Sequence, residues 1–134
     1  MSIVTPTEVR PVEVLFRRFE SYCRIIDSDG RERVASAAFK DRKKNRMFNV
    51  RYIVATTKQK ESALAHSNQD HYGVAAFPAS VPLEITELFV KHMPLEDAPG
   101  HTEIYGLTRI YCAVLAEQCQ IVIQPKVRTI DPDS

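Results

Sequence analysis

Glycine is scarce in this chain: four in 134 residues, at the scattered positions 30, 73, 100 and 106. That rules out a GxGxxG dinucleotide turn and a GxxxxGK[ST] phosphate loop, both of which need clustered glycines to bring backbone close to phosphate. A Gly-x-Ser-x-Gly nucleophile elbow is missing too. Cysteine is equally sparse. Cys23, Cys112 and Cys119 form an odd set with no CxxC pair, which speaks against a disulfide framework and against a four-cysteine zinc site. Cys112 and Cys119 stand seven residues apart, about 10 Å along a helix, too far for a bond within one helix. Long apolar runs are absent, the longest being short stretches such as Gly73–Ala79, far below membrane-spanning length. The first ten residues lack an apolar run and carry Glu8, so the expectation is a chain without a leader, resident in the cytoplasm. No repeat and no HExxH or HxH motif occurs, and neither a metal nor a cofactor is expected.

What is present fits one domain. The length suits a single core, and 44% hydrophobic with 26% charged residues matches globular averages. The net charge of +1 hides a division. Residues 1–60 hold 14 Lys+Arg and 7 Asp+Glu, a balance of +7, and residues 61–134 hold 4 and 10, a balance of −6. A division of that kind bears on partners rather than on fold.

Periodicity predicts the elements. Residues 1–11, with Pro6 and Pro11, read as a flexible arm, residues 12–128 as the domain, and 129–134 as a tail. Leu15, Phe16, Phe19 and Tyr22 recur at helical spacing and predict a short amphipathic helix over Val12–Tyr22, with a strand as the competing reading. Asp27-Ser28-Asp29-Gly30 is a turn. Ser36 is placed to cap a helical turn, and Asp41–Asn45 reads as a charged loop. Met47–Val54 reads as a strand with Phe48, Val50, Tyr52 and Val54 on its core face. A helix over Lys58–His66, strands at Gly73–Phe77, Ile85–His92, His101–Tyr105 and Ile121–Ile123, and a loop at Pro94–Gly100 follow. Leu107–Cys119 gives the clearest helix, with Leu107, Ile110, Tyr111, Val114 and Leu115 along one face. The expected fold is α+β, a mixed or antiparallel sheet of about five strands with this C-terminal amphipathic helix packed on one face.

Two groups of residues carry chemistry. Lys40, Arg42, Lys43, Lys44, Arg46 and Arg51 place six cations within twelve residues, interrupted only by Asp41. Such a loop neutralises phosphates and suits nucleic acid or an acidic protein partner; a solvated loop guarding a sheet edge is the plain alternative. His101 and Glu103 share a strand face, because side chains repeat every second residue, and Tyr105 continues it. With His71 brought near, they would serve acid–base catalysis in a small hydrolase or transferase. Arg17-Arg18, Ser36 and Glu103 stand in the chain order of an ADP-ribosyltransferase-like site, an analogy of residue type alone.

The segments Phe16-Arg17-Arg18, Ser36-Ala37-Ala38-Phe39-Lys40-Asp41, Phe48-Asn49-Val50, His71-Tyr72-Gly73-Val74-Ala75 and Pro99–Gly106 together resemble a group of small uncharacterised bacterial proteins with an AFKD segment and a YGVA-type strand. The resemblance covers residues 15–106 and departs at Arg42–Arg46. It implies a domain rather than an activity, and it draws attention to Phe39, Asp41, Tyr72 and His101. The leading expectation is therefore a non-enzymatic binding module that works through its basic loop. The His/Glu enzyme and a homo-oligomer that pairs acidic with basic halves are the alternatives.

Overall fold

The computed structural model describes residues 9–41, 43–45, 50–57, 59–64 and 70–126. In chain order the elements are β1 (Val14–Glu20), β2 (Arg24–Ile26), β3 (Glu32–Val34), β4 (Lys43–Asn45), β5 (Val50–Thr56), β6 (Tyr72–Pro78), α1 (Ser80–Leu83), β7 (Phe89–His92), β8 (His101–Tyr105), α2 (Arg109–Gln118) and β9 (Gln120–Ile123). Short 3-10 helices occupy Ser21–Cys23, Ser36–Phe39 and Lys60–Leu64. The fold is α+β. Seven strands, rather than about five, form the main sheet in the order β7-β8-β5-β1-β6-β9, with β4 added beside β5. Every pairing among the described residues is antiparallel. No helix among them is long and apolar enough to cross a membrane.

The expected first helix is instead β1. Leu15 and Phe19 satisfy both an i, i+4 and an i, i+2 rule, and the pairing of all seven residues of β1 with β6 selects the strand. Leu15, Arg17 and Phe19 then share one face, and Phe16, Arg18 and Glu20 the other. The first face is the core side. Leu15, Phe19, Ile53, Ala55, Phe77 and Ile104 join Phe39, Val34, Cys23 and Leu88 in one buried apolar cluster. In β5 the core residues are thus Ile53 and Ala55, and the expectation for Tyr52 and Val54 is overturned. Both sets are apolar, so alternation alone left the face ambiguous. Met47–Asn49, the basic residues Arg42 and Arg46, Lys58, and residues 65–69 and 127–134 lie outside the described residues, as do residues 1–8 of the expected arm; Val9 is already buried in the core.

Gly73 is glycine for a packing reason. A Cβ there would stand 2.6 Å from both the Ile123 carbonyl oxygen and the Phe19 ring, and 2.8 Å from Pro125. The β6–β9 edge approaches Phe19 only because that atom is missing. The predicted turn is present between β2 and β3. Gly30, at φ +78°, donates its N–H to the Asp27 carbonyl at 2.9 Å, and Arg33 Nε meets Asp27 Oδ1 at 2.7 Å.

Thr108 caps α2 by accepting the Tyr111 N–H. The residues of α2 in the buried cluster are Cys112, Leu115 and Ala116, while Ile110 is 72% exposed. Of the expected face Leu107 and Leu115 are buried in the cluster and Tyr111 packs against it, and small side chains bring the helix close to the Ser36–Phe39 turn, where Cys112 Sγ donates to the Phe39 carbonyl at 3.2 Å. Tyr111 is partly buried against the same cluster, and its hydrogen bond to the Glu87 carboxylate raises its phenol above the usual range. Asp41–Asn45 is likewise not all loop. β4 pairs with the start of β5, Lys43 opposite Tyr52 and Asn45 opposite Val50.

Candidate functional site

The sheet divides at β1. This strand follows β6 along its whole length, but it meets β5 at Phe16 opposite Thr56. Val50–Tyr52 of β5 pair with β4, and Tyr52–Thr56 pair with β8 on the other edge, so residues 53–55 have no ladder partner on the β1 side among the described residues. A wedge therefore opens between residues 17–20 of β1 and 52–55 of β5. Backbone carbonyls facing such a gap need donors, and Arg17 supplies them. Its Nε donates to the Ala38 carbonyl and its Nη1 to the Val54 carbonyl, both at 2.8 Å. The guanidinium lies 5.9 Å from the Phe39 ring centroid.

The wedge is a cleft of about 460 Å³, within the range of small-ligand sites. Arg17, Arg18, Lys40, Tyr52, Tyr72 and His101 line it, together with the acids Glu20 and Asp97. Arg18 lies 4.6 Å over the Tyr72 ring, a cation–π contact that holds a charged plane flat against an aromatic one. Ser62 and Ala63, from the Lys60–Leu64 turn, close one side.

The loop before β8 sets the far wall. Ala98 accepts N–H bonds from Leu95 and His101 at 3.0 and 3.1 Å, Gly100 accepts one from Thr57 at 3.0 Å, and Met93 donates to the His101 carbonyl at 2.8 Å. These bonds seat His101 opposite Thr56. Its Nε2 lies 2.9 Å from Glu103 Oε2, and Tyr105 donates its hydroxyl to the other carboxylate oxygen. The His101 and Glu103 side chains are about 15% and 14% exposed. Beyond them Tyr105 packs against Tyr52 with centroids 5.2 Å apart, and Lys91 lies 5.6 Å over Tyr105. The outward sheet face is thus a polar and aromatic surface, as the alternation of His101, Glu103 and Tyr105 predicts.

Of the expected site residues, His101 and Glu103 come together. His71 does not join them. It is exposed in the turn before β6, its carbonyl accepts the Ser21 N–H at 2.8 Å, and it borders a separate shallow recess with Glu20, Ser21, Tyr22 and Tyr72. Of the basic cluster, Lys40 lines the cleft, Arg51 is exposed on β5 outside the lining, and Lys43 and Lys44 belong to β4. Ser36 opens a 3-10 turn and is not in the cleft lining, so the ADP-ribosyltransferase-like arrangement is not assembled there. Phe39 is wholly buried and belongs to the core. Tyr52 is the residue that sequence reasoning misplaced. The alternation of β5 contained it, but on the wrong side.

The Cys112 and Cys119 thiols are not activated. Burial raises Cys112, with Asp41 adding to the effect, and burial pushes Cys119 up to about 11; a nucleophilic cysteine needs the opposite shift. Among the described residues no group of three or more His, Cys, Asp or Glu is placed to hold a metal ion. No protein-family model, curated protein or solved structure matches the chain.

Proposed function

We propose that this chain is a cytoplasmic binding module for single-stranded nucleic acid, and that the fork cleft, rather than the basic segment alone, is its reading site. In this arrangement α2 packs on the core face as a supporting layer and leaves the opposite face to the ligand. The observation that carries the reading is the gathering of Arg17, Arg18 and Lys40 with Tyr52 and Tyr72 in one cleft. Cations alone favour any polyanion. Cations interleaved with aromatic planes favour a chain of phosphates whose bases are free to stack. A duplex keeps its bases paired and cannot present one to a tyrosine, so a single strand is the better occupant. Glu20 and Asp97 restrict where phosphate sits and direct it toward Arg18 and Lys40. The basic segment starts at Lys40, on the cleft wall, and Lys43 and Lys44 extend it along β5.

The test is fluorescence anisotropy with a labelled single strand of about ten nucleotides, within the usual site size of such folds. Affinity falls as salt rises, and Arg18→Ala or Lys40→Ala each reduces the log–log slope by about 0.7. Tyr52→Ala costs roughly 1–3 kcal/mol of binding, the value of one base stack. The triple variant Arg42→Ala, Lys43→Ala, Lys44→Ala weakens binding without abolishing it. Loss of all binding in the triple variant, with Arg18→Ala and Lys40→Ala silent, would move the site to the basic segment. Binding of a polyglutamate peptide but of no oligonucleotide would make the partner an acidic protein.

A further inference from the structure

We infer that the cleft also cleaves the RNA it binds, with His101 as general base and the 2′-hydroxyl of the substrate as nucleophile. The inference rests on the single-strand reading of the cleft and goes beyond it by assigning a reaction.

The geometry has the parts such a step needs. A general base must reach the substrate and be held in one tautomer. His101 lines the cleft, and its Nε2 bonds Glu103 at 2.9 Å. An ionised carboxylate only accepts, so in the neutral ring that nitrogen carries the proton and Nδ1 holds the lone pair. Nδ1 makes no hydrogen bond among the described residues. No buried side-chain nitrogen or oxygen among them lacks a partner, so Nδ1 is not sealed from solvent, in a side chain about 15% exposed. Tyr105 fixes Glu103 from the other side, giving the relay of base, orienting carboxylate and anchor that acid–base sites use.

Charge must also be stabilised where it develops. Thr56 stands opposite both His101 and Phe16, so the His101 and β1 backbones are about two strand spacings apart, roughly 10 Å. Arg18 lies on the same face of β1, two residues on. His101, Arg18 and Lys40 all line the cleft, and the spacing between the His101 and β1 backbones leaves room for one ribose phosphate. Ser36 and Cys112 do not line the cleft; Cys23, Thr56 and Ser62 do, but the His101 ring bonds Glu103 rather than any of them. RNA brings its nucleophile with it.

The step balances. His101 Nδ1 takes the proton of the 2′-hydroxyl, and the 2′-oxygen forms a bond to phosphorus. The bond from phosphorus to the 5′-oxygen breaks, and that oxygen leaves with the electron pair and takes a proton from water. The products are a 2′,3′-cyclic phosphate and a 5′-hydroxyl, and His101 returns its proton to solvent. Arg18 and Lys40 hold the extra negative charge on phosphorus-bound oxygens. Nothing is oxidised or reduced. Glu103 is a positioning residue, since it acts through His101.

The experiment uses the full chain in EDTA with two probes of one sequence, a single-stranded RNA and its 2′-O-methyl analogue, which binds but has no nucleophile. The expected result is RNA cut to fragments ending in 2′,3′-cyclic phosphate and the analogue bound but intact. His101→Gln lowers the rate about 100-fold or more, as loss of a general base does, and keeps analogue binding. Glu103→Gln lowers kcat and leaves KM unchanged; it decides the matter if His101→Gln no longer binds the analogue. RNA bound yet intact, or cut equally well by His101→Gln, overturns the inference and leaves the binding reading standing. Failure to bind either probe removes both.

Discussion

Replacing Phe39 by alanine is expected to cost about 3–5 kcal/mol of stability, the range for a buried phenylalanine. Phe39 is fully buried at the end of the Ser36–Phe39 turn. Its ring meets Phe77 edge-on, with centroids 5.7 Å apart and planes at 76°. The Arg17 guanidinium lies over it, and its carbonyl accepts the Cys112 thiol. Sheet, turn, fork and helix all meet at this side chain. A hole there has β-strand backbone on one side and α2 on the other, and neither moves without breaking ladder or helix bonds, so little collapse is available to offset it. Against a total of about 5–15 kcal/mol for a domain, such a loss takes at least about a fifth of the stability. Urea unfolding followed by circular dichroism measures it. A loss below about 1 kcal/mol, the scale of a surface substitution, would show that Phe39 is not the meeting point described here.

Arg17→Met should act on both stability and binding. Methionine keeps the apolar stem and removes the guanidinium. The Ala38 and Val54 carbonyls each lose a donor at 2.8 Å, and hydrogen bonds to charged groups contribute roughly 1.5–3 kcal/mol apiece. Water reaches part of the gap and the two losses share one side chain, so they add less than fully. The expected cost is about 2–4 kcal/mol. The fork also loses the bridge that sets its width, so oligonucleotide affinity falls further than in Lys40→Ala, which removes charge without altering the wedge. Unfolding and anisotropy on the same variant check both effects. Unchanged stability with weakened binding would make Arg17 a ligand contact alone, and unchanged values of both would remove it from the account.

Much of the architecture was legible where one pattern has one reading. The Asp27–Gly30 turn, strand β6, strand β8 and the polar face of His101, Glu103 and Tyr105 all follow from short-range rules. The failures share a cause. Leu15, Phe16, Phe19 and Tyr22 suit two periods, and only pairing with β6, some sixty residues away, makes them a strand. Apolar side chains stand on both alternation sets of β5, Tyr52 and Val54 on one and Ile53 and Ala55 on the other, so alternation places Tyr52 in the core that Ile53 and Ala55 occupy. In α2 the contacts are made by Leu115, which the pattern places, together with Cys112 and Ala116, small residues that carry little hydrophobic signal, while Ile110 stays in solvent. The cleft was beyond local reading altogether. It exists because β1 and β5 keep different partners after one shared register point, which no window of neighbouring residues records. Chain order groups Arg17 and Arg18 with Ser36 and Glu103; what distinguishes them in the structure is the fork they line.

The central claim is that the fork cleft receives a single strand. Titration of the ¹⁵N-labelled chain with a 2′-O-methyl oligonucleotide of about ten nucleotides, followed by amide chemical shifts, tests it most directly. The account predicts salt-sensitive shifts concentrated in residues 17–20, 38–40, 52–56 and 98–101, with α2 and the β2–β3 hairpin unmoved. Shifts confined to α2 or that hairpin, or none at all, would contradict it.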